Sequence, residues 1–232
     1  MNNITDLLIG CSFTDPQWQP TVIPWSINYA DKTPSYIVAQ AGMGIKGIIT
    51  EAMYFLENTN TIDRCVVILP DLWRIDIELD NETYIGNAMV DVLVSDSNGY
   101  EIFQPATRKW AISGGITYDR TSEYAKIFDF LYKHQSFYVI LKEQMRYLKF
   151  FINHCKNNNI EYHISAISDP MPQMQCLDFI IDDVNALMKD VEYESWFTFA
   201  GMFIDEFLGH NKHPTTEEHI VLTEYIKMLK RK

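Results

Sequence analysis

The sequence lacks an apolar run long enough to cross a membrane, and its first residues lack the layout of a secretory signal. A membrane-spanning helix needs about 18 to 20 consecutive apolar residues, and no stretch of this chain approaches that length. The first six residues, Met-Asn-Asn-Ile-Thr-Asp, place no basic residue before an apolar segment, as a secretory signal would. We therefore expect synthesis in the cytoplasm and no membrane partner, with packing into a virus particle left open.

The chain is also poor in basic residues. It has 19 Lys and Arg against 31 Asp and Glu, which gives a formal net charge of −12 at pH 7. Binding to a nucleic-acid backbone depends on clustered Lys and Arg, so the charge balance argues against nucleic acid as a partner. The hydrophobic fraction of 47% is enough for a packed core, and 232 residues suit a single domain.

Cysteine is scarce, and the cysteines are widely separated, at Cys11, Cys65, Cys155 and Cys176. No two of them have the Cys-x-x-Cys spacing of a zinc or redox site. A chain of this size without a secretory signal is not expected to carry a disulfide framework. Cys65 opens an apolar run, and we expect it to pack as a small hydrophobic side chain.

The stretch from residue 5 to 18 carries the strongest functional signal. Its apolar run Leu-Leu-Ile is ended by Gly10, which predicts a short buried strand. Ser12 then lies just past the carboxyl end of that strand, and ligands bind at this edge of an open α/β sheet. A serine there can attack a carbonyl carbon once a base takes its proton. Cys11 is the alternative nucleophile, but neighbouring side chains on an extended segment point to opposite faces.

Short apolar runs alternate with segments of helical periodicity along most of the chain. Further strands are predicted at 35–39, 64–69 and 160–167, and helices at 25–30, 48–56, 123–134, 139–156 and 177–187. Strands that alternate with helices favour a parallel sheet with helices on both faces. The predicted fold class is therefore α/β.

Residues 76 to 115 differ from this pattern and are interpreted as an insertion. Between 92 and 103, two apolar runs flank the Asn-Gly pair at 98–99, which is a strong signal for a tight hairpin turn. We expect this hairpin to decorate the surface or to shape a cleft. Ser113, which precedes two glycines, is a second conceivable nucleophile, but no strong strand leads into it.

The best partner for Ser12 is His213, near the other end of the chain. Residues 215–218, Thr-Thr-Glu-Glu, fit a capping box and predict that a helix begins there. His213 lies in the loop before that helix, and Pro214 stiffens this loop. The position suits a general base held over the edge of the sheet. His219 falls within the helix and is interpreted as structural.

The segment Gly-Cys-Ser-Phe-Thr at 10–14, paired with His-Pro-Thr at 213–215 and the helix after it, resembles the SGNH (GDSL-like) hydrolases. The resemblance is closest to members from phages and from surface-polysaccharide gene clusters. It implies a three-layer α/β/α, flavodoxin-like fold with a central parallel sheet, in one domain that spans 1–232. It also implies the serine esterase or lipase activity of that family.

The resemblance assigns roles to individual residues. Ser12 would be the nucleophile and His213 the base, and the backbone N–H groups of Ser12 and Gly44 would form the oxyanion hole. Arg74 resembles an arginine of the phage-type members and, with Asp71, is a candidate for contacting the oxyanion or the substrate. An Asp is ionised at neutral pH and cannot donate a hydrogen bond to a negative oxygen, which weighs against Asp71 as a donor.

The sequence departs from the family pattern at several positions. Most members carry an acid three residues before the catalytic histidine, where this chain has His210. Asn211, His210 and Asp205 are the candidates for orienting the imidazole of His213 instead. The Asn that usually follows the third strand is absent, and Ile45 stands where phage-type members usually have Asn.

Two functions from different classes follow from these observations. The leading prediction is an SGNH-like serine esterase that removes acyl groups, for instance acetyl, from a carbohydrate or a small ester, without cofactor or metal. The alternative is a catalytically inactive protein of the same fold that binds glycans or belongs to a virus particle, and homo-oligomer formation stays open. A zinc site is not favoured, because the spacing of its possible ligands matches no zinc signature: Asp205, Glu206, His210 and His213.

Overall fold

The computed structural model describes residues 4–18, 21–59, 61–79, 89–114, 123–167, 169, 171, 180–198 and 214–229. The described strands are β1 (Asp6–Gly10), β2 (Ser35–Ala39), β3 (Arg64–Leu69), β4 (Asp76–Leu79), β5 (Val92–Asp96), β6 (Gly99–Gln104), β7 (Lys109–Ile112), β8 (Glu161–Ala166) and β9 (Phe197–Thr198). The described helices are α1 (Trp25–Ala30), α2 (Ile45–Asn58), α3 (Glu123–His134), α4 (Phe137–Asn157), α5 (Ile181–Asp190) and α6 (Thr216–Met228), with a 3-10 turn at Tyr193–Ser195.

A mixed, mostly parallel sheet lies at the centre of the protein. Within the described residues, six strands follow one another in the order β6-β5-β2-β1-β3-β8, and the two-residue strand β9 pairs with the outer side of β8. The strands from β2 to β9 in this order all run parallel. Helices flank the sheet, with α2 packed against α4 and α1 against α6. The predicted α/β class is confirmed.

Strand β1 occupies the middle of the parallel part. Leu8 lies between Ile37 of β2 and Val66 of β3 in the register of the sheet. All five residues of β1 are buried, because a parallel strand between two others with helices on both faces has no side open to water. The unbroken apolar run that predicted β1 is therefore the expected sequence of such a strand.

The predicted hairpin is confirmed, and it changes the character of the sheet. Strands β5 and β6 pair antiparallel, and Gly99 in their turn has φ of +116°, a conformation that glycine adopts at low cost. Strand β5 continues the central sheet by pairing antiparallel with β2. The predicted central parallel sheet is therefore mixed at this edge, because the hairpin joins the sheet.

The same region forms a second, smaller sheet. Strands β4 and β7 pair antiparallel from Asp76 to Ile112, and β4 packs against α2. Arg108 next to this sheet lies 3.6 Å from Glu51 of α2, whose other oxygen accepts the indole N–H of Trp110 at 2.8 Å. These contacts attach the small sheet to the side of α2.

A buried polar network closes the amino-terminal edge of the central sheet. The guanidinium of Arg64 donates to Tyr29 Oη at 3.1 Å and to the carbonyl oxygen of Ile226 at 3.2 Å. The Tyr29 hydroxyl in turn donates to Asp6 Oδ2 at 2.5 Å. The network joins β1, α1, β3 and the last turn of α6, so this edge is devoted to holding the layers together.

The described cysteines form no disulfide bonds. Cys11, Cys65 and Cys155 are free and buried, and the expectation that Cys65 packs as a small hydrophobic side chain is confirmed. Cys176 lies outside the described residues. None of the helices in the described part of the chain is both long enough and apolar enough to span a membrane.

Helix α6 begins with the predicted capping box. The Thr215 hydroxyl accepts the N–H of Glu218 at 3.3 Å, and the Glu218 carboxylate accepts the N–H of Thr215 at 2.6 Å. These reciprocal bonds satisfy two N–H groups that the first turn of a helix leaves without partners.

Removal of this cap gives the first testable prediction. We expect Thr215→Ala to lower the free energy of unfolding by about 1 kcal/mol, because the hydroxyl that accepts the Glu218 N–H is lost. Thr215→Ser keeps a hydroxyl at the same place and is expected to stay close to wild type. Guanidinium unfolding of the three proteins measures the difference, and equal destabilisation by both substitutions would contradict the role of the hydroxyl.

Candidate active site

Three loops of interest leave the same edge of the central sheet. Ser12 follows β1, Gly44 follows β2 and Arg74 follows β3. Because these three strands are neighbours and run parallel, their carboxyl ends lie side by side. The loops also touch, since a Cβ placed on Gly44 would lie only 2.9 Å from the carbonyl oxygen of Arg74. The structure thus brings the predicted residues of three separate segments to one edge.

Ser12 lies in a tight turn directly after β1. The carbonyl oxygen of Cys11 accepts the N–H groups of Thr14 at 2.9 Å and Asp15 at 3.0 Å, so residues 11–15 form one closed turn. Ser12 is 8% exposed, and its hydroxyl lies 4.0 Å from the thiol of Cys11. We call residues 11–15 the nucleophile turn, because they contain the predicted nucleophile, Ser12.

Glycine is required at the start of this turn. A Cβ on Gly10 would lie 2.1 Å from Thr14 Oγ1, which is too short for non-bonded atoms, and 3.1 Å from the carbonyl oxygen of Ile68, which is a tight contact. Thr14 is itself fixed, because its hydroxyl accepts the indole N–H of Trp25 at 3.1 Å and its carbonyl accepts the Ser26 hydroxyl at 2.6 Å. The turn therefore folds back over Gly10 and is held there by the start of α1.

Asp15, which the sequence analysis did not single out, joins the nucleophile turn to the loop after β2. Its Oδ2 accepts the N–H of Ala41 at 2.9 Å, and its Oδ1 accepts the N–H of Gln17 at 2.8 Å. The residue is 6% exposed, and burial raises the pKa of its carboxyl. Its partners are backbone groups, so the only signal in the sequence was an acid placed three residues after the serine.

The loop between β2 and α2, residues 40–44, is called here the glycine turn. Gly42 has φ of +82°, which favours glycine. Gly44 is the N-cap residue of α2 and offers no side chain to cap the helix. The cap comes instead from Asp76 of β4, whose two carboxylate oxygens accept the N–H groups of Gly44 and Gly47, each at 2.9 Å.

This cap conflicts with the oxyanion role that the resemblance assigns to Gly44. A single N–H cannot bond well to a carboxylate and to an oxyanion at once, and the two negative groups would repel each other. The N–H of Gly44 is therefore used to hold the start of α2. Asp76 was missed by the sequence analysis because it lies on a strand far along the chain and carries no local motif.

Asp76 is a buried carboxyl with an unusual protonation equilibrium. Loss of solvent raises its pKa to about 6, and the N–H bonds from Gly44 and Gly47 oppose that rise. The amino end of a helix favours negative charge, so the ionised form has a suitable place despite its burial. Gln144 completes the cap by accepting the N–H of Lys46 at 2.9 Å.

Arg74 lies against the glycine turn. Its guanidinium donates to the carbonyl oxygen of Met43 at 3.3 Å and lies 3.8 Å from the carboxylate of Asp71. A Cβ on Gly114, just after β7, would lie 2.6 Å from Arg74 Cδ, so the small sheet packs on the arginine side chain. Arg74 is 17% exposed in its side chain and Asp71 42%, so both can face a ligand at this edge.

The hydroxyl of Ser113, the second conceivable nucleophile, is used in hydrogen bonds that join neighbouring elements. Its hydroxyl accepts the N–H of Ile75 at 2.7 Å and lies 2.6 Å from the hydroxyl of Tyr132. Tyr132 in turn donates to the carbonyl oxygen of Trp73 at 2.9 Å. These bonds link the end of β7, the loop after β3 and α3, and none of the three involves a histidine or a carboxylate.

The predicted base and its orienting groups lie outside the described residues: Asp205, His210, Asn211 and His213. The described chain resumes at Pro214, which is buried. The hydroxyl of Thr216, at the start of α6, accepts the N–H of Ile23 at 3.4 Å. His219 is buried and packs edge-on against Phe13 of the nucleophile turn. The start of α6 therefore lies beside the segment that carries Ser12.

The described side chains offer no metal site, because no three His, Cys, Asp or Glu residues among them cluster closely enough to hold an ion. No protein-family model matches this chain. No curated protein matches it either.

Replacing Asp76 by Asn is expected to flatten the dependence of stability on pH. The folded carboxyl has a pKa of about 6 against an ordinary value of 3.8, so the folded state binds the proton more tightly than the unfolded state. Asp76 therefore contributes about 3 kcal/mol that is fully present below about pH 4 and is lost as pH rises through about 6. Guanidinium unfolding at several pH values between these limits measures the slope.

Asp71→Asn is the matched control for this experiment. It removes the same charge from the same region of the chain, but from a side chain that is 42% exposed. It shows how much of any change comes from the loss of a negative charge in this region. A slope of unfolding free energy against pH for Asp76→Asn that equals that of wild type would show that the buried carboxyl does not titrate as proposed.

Proposed function

We propose that this protein is an SGNH-like serine esterase that removes acyl groups, for instance acetyl, from a carbohydrate or a small ester. The observation that carries the proposal is the place of Ser12, in a closed turn at the carboxyl end of the central parallel strand β1. A serine at this point can present its hydroxyl to a cleft and its N–H to a developing oxyanion.

The order of the parallel strands supports the proposed flavodoxin-like, three-layer architecture. Counted along the chain, the parallel strands β2-β1-β3-β8-β9 have the order 2-1-3-4-5. In folds of this order β2 lies on one side of β1 and β3 lies on the other, so the connections after β1 and after β3 lead in opposite directions. Ligands bind in the crevice between the carboxyl ends of β1 and β3. Ser12 follows β1 and Arg74 follows β3, so the two residues border that crevice.

The proposed reaction has two steps. The Ser12 hydroxyl attacks the ester carbonyl carbon while His213 takes its proton, and the tetrahedral intermediate collapses to acyl-Ser12 as His213 returns the proton to the leaving alcohol. Water, deprotonated by His213, then attacks acyl-Ser12, and the second tetrahedral intermediate collapses to the carboxylic acid as His213 returns the proton to the Ser12 oxygen. In both steps the carbonyl oxygen becomes an oxyanion, which the N–H of Ser12 stabilises.

Arg74 is the proposed second donor to the oxyanion. The N–H of Gly44 donates to Asp76, so a different hydrogen-bond donor has to complete the oxyanion hole beside the N–H of Ser12. The guanidinium of Arg74 lies against the neighbouring Met43 carbonyl, carries several N–H donors and stays charged. Asp71 holds one side of this guanidinium and orients it. His213 is proposed to be oriented by Asn211, His210 or Asp205.

The bond between Gly44 and Asp76 also favours a second candidate function. A protein of this fold whose glycine turn is committed to a helix cap could bind glycans, or belong to a virus particle, without catalysing hydrolysis. This candidate predicts ligand binding that survives the loss of the Ser12 hydroxyl. It is distinguished from the esterase by the following experiment.

Ser12→Ala and His213→Ala are expected to lower the rate of p-nitrophenyl acetate hydrolysis by roughly four to six orders of magnitude, because nucleophile and base act as one unit. A serine-directed fluorophosphonate is expected to label wild type at Ser12, as located by mass spectrometry. Ser113→Ala is the matched control and should keep wild-type activity and labelling. Equal background hydrolysis in all four proteins, with no labelling, would reject the esterase and favour the binding protein.

The role of Arg74 is tested by two substitutions. Arg74→Met removes the charge, and we expect kcat to fall by about 10²- to 10³-fold, as when one oxyanion-hole donor is removed. Arg74→Lys keeps the charge but loses the planar guanidinium, and its kcat should lie between the two. A value of kcat for Arg74→Met within error of wild type would exclude Arg74 from the oxyanion hole.

A further inference from the structure

We propose that Asp15 is a positioning residue that holds the nucleophile turn and the glycine turn in register across the site. The inference rests on the proposed function, since it assumes that Ser12 is the nucleophile. Asp15 is linked to both turns by direct hydrogen bonds, and the residue is only 6% exposed. It is not proposed to touch the substrate.

The contacts of Asp15 show what its side chain connects. One carboxylate oxygen accepts the N–H of Gln17 at 2.8 Å, within its own loop, and the other accepts the N–H of Ala41 at 2.9 Å, in the glycine turn. Each oxygen thus has one backbone donor from a different loop. No neutral side chain of this size offers two acceptor oxygens, because Asn replaces one of them by a donor.

The free-energy cost of burying the Asp15 carboxylate supports the interpretation that this side chain positions the two loops. A carboxylate that is 6% exposed has lost most of its solvation, and burial accordingly raises its pKa. Buried charged groups are often no more stabilising than apolar side chains of the same volume. A carboxylate kept in such a place is therefore better explained by the precise link between two loops than by stability alone.

The link extends from Ser12 to Arg74. The N–H groups of Thr14 and Asp15 share the carbonyl oxygen of Cys11, so the turn that contains Ser12 moves together with Asp15. On the far side, Ala41 leads within two residues to the Met43 carbonyl that Arg74 contacts. Asp15 therefore fixes the distance between the proposed nucleophile and the proposed oxyanion donor.

Asp76 fixes the other end of the glycine turn. It accepts the N–H of Gly44, while Asp15 accepts the N–H of Ala41, so the turn is held at both ends by buried carboxylates. Of these two carboxylates, that of Asp15 belongs to the loop that carries Ser12, whereas that of Asp76 does not contact this loop through its bonds to Gly44 and Gly47. Loss of Asp15 should leave α2 capped and should release the nucleophile turn from the glycine turn.

The test compares wild type with Asp15→Ala and Asp15→Asn, and uses Asp6→Ala as the matched control. Asp6 is a buried Asp on the opposite end of β1, where it accepts the Tyr29 hydroxyl. We expect Asp15→Ala to lower kcat by about 10- to 100-fold with KM changed far less, because misplacement of reacting groups lowers the rate of the chemical step. Asp15→Asn keeps one acceptor and should restore part of kcat, and Asp6→Ala should keep kcat near wild type.

Amide hydrogen exchange provides a readout that does not depend on activity. Asp15→Ala is expected to speed exchange in residues 11–15 and 40–44, whereas Asp6→Ala should leave those segments unchanged. If wild type hydrolyses esters and Asp15→Ala keeps its kcat, the positioning role is overturned. If wild type is inactive, the esterase proposal fails, but the hydrogen-exchange test of Asp15 still applies. Exchange in residues 11–15 and 40–44 that is the same in Asp15→Ala as in wild type would overturn the link between the two turns. Should Asp15→Ala fail to fold, Asp15→Asn gives the same comparisons.

Discussion

The binding of Asp76 to the first turn of α2 is the interaction on which the site edge depends. A helix leaves its first N–H groups without internal partners, and the glycines at the start of α2 supply no side chain of their own. Asp76 takes two of these N–H groups, and Gln144 takes a third while it also donates to the carbonyl oxygen of Arg74 at 2.9 Å. One cap therefore fixes a helix, a loop and the arginine beside it.

The two edges of the central sheet have different physical tasks. At the amino-terminal edge, Arg64 and Tyr29 are buried in a network that ties helices to strands. At the carboxyl-terminal edge, the carboxylates of Asp15 and Asp76 bind backbone N–H groups of loops. The second arrangement fixes the positions of the loops that carry Ser12 and Arg74.

The features that were predicted correctly from the sequence are those set by residues close together in the chain. The strand before Ser12, the hairpin at Asn98-Gly99 and the capping box at Thr215 each depend on residues close together in the chain, and each prediction is confirmed. The links made by Asp15 and Asp76 join residues that are 26 and 32 positions apart. Their partners are backbone N–H groups, which every residue except proline has, so no side-chain pattern marks them. The bond from the Gly44 N–H to Asp76 could not be predicted for that reason.

The segment from β4 to the end of β7 has become inseparable from the sheet edge that it adjoins. It supplies Asp76, and its last described residue, Gly114, packs so closely that a Cβ there would lie 2.2 Å from the carbonyl oxygen of Gly42 and would strike Arg74. Excision of this segment would remove the two acceptor oxygens of Asp76 from the cap of α2 and the packing of Gly114 against Arg74. A segment that resembles an optional addition in the linear sequence is thus part of the minimal unit that could carry the site, and truncation or domain-transplant designs have to retain it.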